Sequence, residues 1–347
     1  MIKLIHYSRI VGMLLAFGLA PILSGNAAAE EAICETKKPI AFGGLDWDSN
    51  AFHTAVAQFI IKHGYNCAVD LIPGATIPLH AGIARGDIDV LMEVWPGSNP
   101  PSWDEGVAKG VLVSLGVNVP DAVQAWFVPR YLVEGESAPA KGLRSVQDLP
   151  NFKDVFRDPE EPGKGRFYNC IAGWQCEIMN TKKLHAYGLM EHFTNFRPGS
   201  GAALSAAIDS SIRRKRPVLF YYWGPTWLLG KIQKDVVRLE EPPYDEAKWN
   251  ALQAVADPAT AKDATAYPVV RIDIGARADF VERAPKVAEF LKAYTTSDAL
   301  VSAALARMQE SGGSAEDAAR HFLATNTDIW RAWVPEGVAK RVTAELN

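Results

Sequence analysis

The chain is short of cysteine, has no histidines at metal-binding spacing, carries no excess of positive charge and contains a single long apolar run. Each shortage removes a class of function. Cys170 and Cys176 enclose five residues, where a thioredoxin-type redox motif encloses two, so redox catalysis is not expected. The seven histidines include no HExxH pattern, and Cys170 and Cys176 have no second pair beside them, so neither a zinc site nor a cofactor is expected. The formal charge of −4 falls to −6 once Lys3 and Arg9 are removed with the leader described below, which argues against a nucleic-acid partner. The one basic run, Arg213 to Arg216, suits the end of a helix dipole as a solvated cap. No internal repeat or low-complexity tract stands out.

The apolar run, Ile10 to Leu23, follows Lys3 and Arg9 and precedes Ala27-Ala28-Ala29. These are the three parts of a cleavable secretory signal covering residues 1–29. It is shorter than the ~20 residues a membrane span needs, and no cysteine directly follows the expected cut. The mature chain is therefore expected in the periplasm, soluble and without a lipid anchor. Four cysteines, Cys34, Cys67, Cys170 and Cys176, are an even number in a disulfide-permissive compartment, and sequence alone allows three pairings. Cys170 with Cys176 and Cys34 with Cys67 is the preferred set, because the second bond joins the mature N-terminus to the strand YNCAVDL. Free Cys34 and Cys67 are the alternative.

About 318 residues remain after the cut, long for one domain and suited to two. PIAFGG reads as a strand. Ser49 or Asn50 then caps a helix with the apolar face Phe52, Val56, Phe59 and Ile60, Gly64 ends it, and YNCAVDLI is the next strand. A helix from about Ile77 to Arg85 and the strand DIDVLMEV, ending at Trp95, repeat the pattern. Such alternation predicts α/β domains on largely parallel sheets. A crossing near residue 125 leads to GRFYN, the helix after Cys176, a helix over 202–214 and PVLFYY, and VVRIDIGA returns. Two crossings make a hinge between lobe I (30–125 and 267–347) and lobe II (126–266). From about Pro285 the chain is helical, with Ser314 opening the helix that carries Glu316 and Asp317 in its first turn. Trp330 and Trp333 in this part read as packing residues.

Ten tryptophans are many, and four have telling positions. Trp95 and Trp223 end strands, Trp47 lies between a strand and its helix, and Trp174 sits between Cys170 and Cys176 just before a helix. Ligands of open α/β sheets bind at such strand ends. Sugars stack on single rings among many hydrogen-bonding groups, whereas a quaternary ammonium needs several ring faces converging, at ~0.5 to 2 kcal/mol each. A cage assembled in advance loses less affinity to ordering, which gives a loop closed by Cys170 and Cys176 a purpose. The backbone N–H groups at the following helix N-terminus favour an anion. Cage and anion pocket together suit a zwitterion. Asp46 and Asp48 flank Trp47 and could serve choline, a cation without its own acid, but Asp48 is read first as a helix cap.

The segments NCIAGWQCE, FYYWGPTW, GDIDVLMEVWPGSN and GGLDWDSN resemble those of the substrate-binding proteins of ABC importers for glycine betaine and related quaternary ammonium compounds. The resemblance spans essentially the whole mature chain. It implies the two-lobed periplasmic binding protein fold, a cage of Trp95, Trp174 and Trp223, and carboxylate donors at the N–H groups of Gln175 and Cys176. Asn99 stands where close relatives carry a histidine, and Gln175 where some carry glycine. A monomer delivering glycine betaine, or choline or carnitine, to the permease and ATPase of an importer is implied. The reading from another class is a secreted glycan hydrolase using Glu93 and Asp104 beside a sugar-stacking tryptophan.

Overall fold

The computed structural model describes residues 34–268 and 270–347; the expected leader, residues 1–29, lies outside the described residues. The strands in chain order are β1 (Ile40–Leu45), β2 (Val69–Gly74), β3 (Val90–Val94), β4 (Leu112–Pro129), β5 (Gly165–Tyr168), β6 (Phe193–Phe196), β7 (Leu219–Gly224), β8 (Val236–Arg238) and β9 (Val270–Arg277). Their order across the sheet is β2-β1-β3-β9-β4-β7-β5-β6, with β8 beside β4. β3 and β7 are buried at every residue, as strands covered on both faces are, and in β3 this burial includes Glu93. β2 lies at the edge, half-exposed, where Pro73 forfeits no ladder bond of a central strand.

The sheet is more mixed than the alternation predicts. β1 pairs in parallel with β2 and β3, and β5 with β6 and β7, but β9 is antiparallel to β3 and β4, and β4 to β7 and β8. The antiparallel pairs belong to the two strands that join the halves, a job the local βαβ pattern does not encode. β4 is 18 residues long and changes partner within its length: Ala122 pairs with Val270 of β9, and Val123 with Gly224 of β7.

One core lies between the first half-sheet and the helix Asp48–Phe59 with the C-terminal helices; a second, around Leu79, Ile83, Leu91 and Trp103, covers that sheet's other face. A third fills the second half around Trp126, Phe167, Phe193 and Phe220. Trp330 and Trp333 belong to the first core, where Trp333 packs 4.3 Å from Tyr294. The helix Ala315–Thr325 opens with a reciprocal Ser314–Asp317 capping box, which satisfies two otherwise free N–H groups.

The first helix departs from expectation. It starts at Asp48, with Trp47 as its N-cap and no side-chain cap. The Asn50 side chain instead accepts the Leu45 N–H at 2.9 Å, and the Asp48 carboxyl faces Trp227. Asn50 is thus turned back to the end of β1, and Asp48 is drawn off by a tryptophan far away in the chain.

Candidate functional site

Four chain turns deliver four indoles to one place. Trp47 follows β1, Trp95 follows β3, Trp174 is the N-cap of the helix Gln175–Ala186, and Trp223 is the penultimate residue of β7. All four line one cavity of about 480 Å³, a volume that includes its open mouth. Gln175, Cys176 and Asn99 line it too. Every ligand-site residue expected from the sequence thus lines this one cavity.

The rings brace each other. Trp174 is only 2% exposed and meets Trp47 edge to face at 5.5 Å and 77°, and Trp223 at 5.1 Å and 87°. Tyr222 stacks on Trp223 at 4.7 Å. Such offset and T-shaped pairs are the favoured aromatic geometries, so the faces are set without a guest. The N–H edges are held by acids: Trp174 donates to Asp46 at 2.6 Å, while Trp47 and Trp95 both donate to one oxygen of Glu93, at 2.8 and 3.2 Å. Glu93 is fully buried, and burial pushes its carboxyl up to about 7, against the Ser49 hydroxyl and the two indole N–H groups that hold it down.

Both expected disulfides are present, Cys34–Cys67 and Cys170–Cys176. The second closes the loop carrying Trp174, and within it Gly173 has φ +93° with its Cα facing Ala75; an added Cβ would lie 3.1 Å from Ala75 Cβ. Only glycine suits both the dihedral and the approach. The Gly173 carbonyl accepts the Ile77 N–H at 3.3 Å, which docks the loop against the helix Thr76–Arg85. Gln175 and Cys176 are the first two residues of their helix. Their N–H groups have no carbonyl within the helix to pair with, and they stand at the positive end of its dipole.

Asn99 is buried and does two things. Its oxygen accepts the Trp95 backbone N–H at 3.0 Å, and its Nδ2 has no partner among the described residues. Sequence reasoning missed His80, Gln124 and Tyr221, which also line the cavity. His80 Nδ1 lies 2.8 Å from the Thr76 carbonyl; a carbonyl only accepts, so Nδ1 carries the proton and Nε2 is an acceptor. Burial pushes the His80 imidazole down to about 4, so it is neutral at ordinary pH. Tyr221 donates to Gln124 at 2.6 Å, and Gln124 to Ser98 at 3.3 Å, tying β7, β4 and the turn after β3 together. An amide inside the apolar stretch AVQAWFV was the available signal for Gln124.

The acids weighed from the sequence lie elsewhere. Glu93 sits at the indole N–H edges, and neither it nor Asp104 lines the cavity, so the carboxylate pair needed for glycoside hydrolysis is not assembled there. Asp46 and Asp48 line an adjoining space of about 380 Å³ on the far side of Trp47, Trp174 and Trp223. Among the described residues no group of three His, Cys, Asp or Glu side chains could hold a metal ion, and no helix is long and apolar enough to cross a membrane.

Residues 38–325 match the family described as the substrate binding domain of ABC-type glycine betaine transport systems. The trimethylamine N-oxide-binding protein of Pelagibacter ubique is 24% identical over 297 residues, which cover 85% of this chain and 90% of that protein. The glycine betaine/proline betaine-binding periplasmic protein of Escherichia coli is 25% identical over 271 residues, 75% of this chain and 78% of that one. Among solved structures, the glycine betaine/L-proline-binding protein of Borrelia burgdorferi superposes with a TM-score of 0.69 at 20% identity, covering 88% of this chain and all of that one.

Proposed function

This chain belongs to the family of substrate-binding domains of ABC-type glycine betaine transport systems, and from that premise we propose that its own ligand is a compact zwitterion held by Trp47, Trp95, Trp174 and Trp223. One observation carries the reading: four indoles converge on a cavity whose lining includes no acid and whose far wall is a helix N-terminus. The rings take the methylated ammonium. The N–H groups of Gln175 and Cys176, with Asn99 Nδ2, take the anionic oxygen. Glycine betaine and trimethylamine N-oxide both fit this description. Choline and carnitine are weaker candidates, because choline brings no anion for the helix end and carnitine is longer.

The parts of the molecule have matching roles in this proposal. Residues 30–125 with 267–347, and 126–266, act as lobes that close on the ligand by bending at β4 and β9. Trp47 and Trp95 come from one lobe and Trp174 and Trp223 from the other, so only the closed form makes every contact. The protein works as a periplasmic monomer that hands its ligand unchanged to a permease and ATPase. Titration calorimetry of the purified protein with glycine betaine, trimethylamine N-oxide, choline and a neutral oligosaccharide tests this. Tight binding of a zwitterion, weaker binding of choline and none of the sugar are expected. Preference for the sugar, or chemical alteration of any ligand, would overturn it.

A further inference from the structure

Glu93 has no place in the ligand contacts proposed above, and it is an unusual residue to find inside β3. It is fully buried and forms no ion pair among the described residues. A buried carboxylate without a counter-cation is costly to ionise. Yet one of its oxygens receives two indole N–H groups, from Trp47 at 2.8 Å and Trp95 at 3.2 Å, and both rings line the cavity. Charge-assisted hydrogen bonds of this kind are roughly twice as strong as neutral ones. The negative charge also lies at the N–H edges of the very rings that would face a cation.

We propose that Glu93 is the positioning residue of the cage: as a carboxylate it fixes Trp47 and Trp95 through their N–H edges, and a cation in front of the rings favours that ionised form, so occupancy is coupled to loss of a proton. The inference rests on the ligand class proposed above. Protonated Glu93 can still accept from the indoles, but it loses the charge assistance and the attraction of a nearby negative charge for the cation. The guest's ammonium therefore lowers the proton affinity of Glu93 relative to the empty site.

The surroundings leave this titration to Glu93. His53, on the helix Asp48–Phe59, is pushed by burial down to about 3 and stays neutral, its Nδ1 2.8 Å from the Tyr294 hydroxyl. Burial raises Tyr294 well above its ordinary value, with the Glu93 charge adding to the effect. Asp273 of β9, beside β3, is paired with Arg271 at 2.9 Å. In the turn after β1, Asp46 is bonded to Trp174 and Asp48 faces Trp227. With the empty-site carboxyl at about 7, the window lies just below neutrality.

The test uses the purified chain with its disulfides intact, ¹⁵N-labelled, and its Glu93→Gln variant. In ligand-free protein the indole N–H resonances of Trp47 and Trp95 are expected to shift together, with a common midpoint near 7. Glycine betaine is expected to bind on the order of tenfold more tightly at about pH 8.5 than at about pH 5.5, one unit of pKa change being tenfold in affinity. Both dependences should vanish in Glu93→Gln. Indole resonances without a shared midpoint would overturn the proposal, and so would measurable glycine betaine binding that is flat across this range. Failure to bind any zwitterion would count against the ligand class alone, because the indole titration in the empty site still decides the role of Glu93. Should Glu93→Gln not fold, the wild-type titration decides by itself.

Discussion

In the proposed cage Trp174 stands between Trp47 and Trp223, and replacing it by Phe and by Ala separates what it does. It touches Trp47 and Trp223 edge to face and donates to Asp46, which lines the adjoining space. Ala removes a ring face worth ~0.5 to 2 kcal/mol toward a cation and a hydrogen bond to a charged acceptor. Asp46 is exposed, so water replaces that partner and the bond's net worth is at the low end, about 1 kcal/mol. Together these predict a loss of ~1.5 to 3 kcal/mol, a roughly 12- to 150-fold rise in Kd. Phe keeps a weaker face and loses the N–H, so about fivefold is expected. Because Trp174 is nearly fully buried, Ala also costs about 3 to 5 kcal/mol of stability, and affinity must be measured by calorimetry on protein shown folded by circular dichroism. Trp333→Ala is the control. Trp333 packs on Tyr294 and Phe322 away from the cavity, so its loss should lower Tm while affinity in the folded fraction holds. Wild-type affinity in Trp174→Ala would mean that the indole faces do not hold the ligand.

Replacing Cys170 and Cys176 by Ser reopens a loop with a sequence separation of 6; chain entropy for so short a loop is about 2 kcal/mol, and the larger effect should fall on affinity, since Trp174 and two N–H donors lose their fixed positions. Unchanged Kd in the folded double variant would contradict this. His53 and His80 are held neutral, near 3 and 4 against an ordinary 6.5; the unfolded chain binds their protons first, so stability is complete above about pH 6.5 and falls below it by up to ~1.4 kcal/mol per pH unit for each. Their ring resonances should stay at the neutral position down to about pH 5, and a midpoint near 6.5 for either would refute the burial argument. Trp249→Phe removes the indole N–H that donates to the Gly97 carbonyl, an acceptor shared with Gln253 at 3.0 Å. Because this contact joins the turn after β3 to the helix Glu246–Ala254, the change should weaken ligand binding by about 1 kcal/mol, read as a faster off-rate in stopped-flow fluorescence; an unchanged off-rate would remove the contact from the closing step.

The strands and helices were legible because their signals are local. Alternating apolar strands and amphipathic helices of ordinary length are written in adjacent residues, and so are the Ser314–Asp317 cap and the placement of tryptophans at strand ends. The disulfides were legible only as a preference among three pairings, drawn from the nearness of Cys34 to the strand that carries Cys67, and both preferred bonds are present. The seven expected ligand-site residues all reach one cavity because strand ends on one edge of a sheet are neighbours whatever the details of the loops.

What the sequence could not decide is which side of each ring faces the cavity, and what stands behind it. Glu93 read as a possible catalytic acid, but a strand places it at the N–H edges of Trp47 and Trp95, 46 and 2 residues away in the chain. Asp48 read as a cap, but Trp227 draws it off the helix end. His80 and Gln124 carry no motif at all, and only the approach of the helix Thr76–Arg85 and of β4 brings them to the wall. A residue type and a local period fix what an element is and which face it buries; which polar group meets which depends on contacts between elements far apart in sequence, and those exist only after the cores have packed.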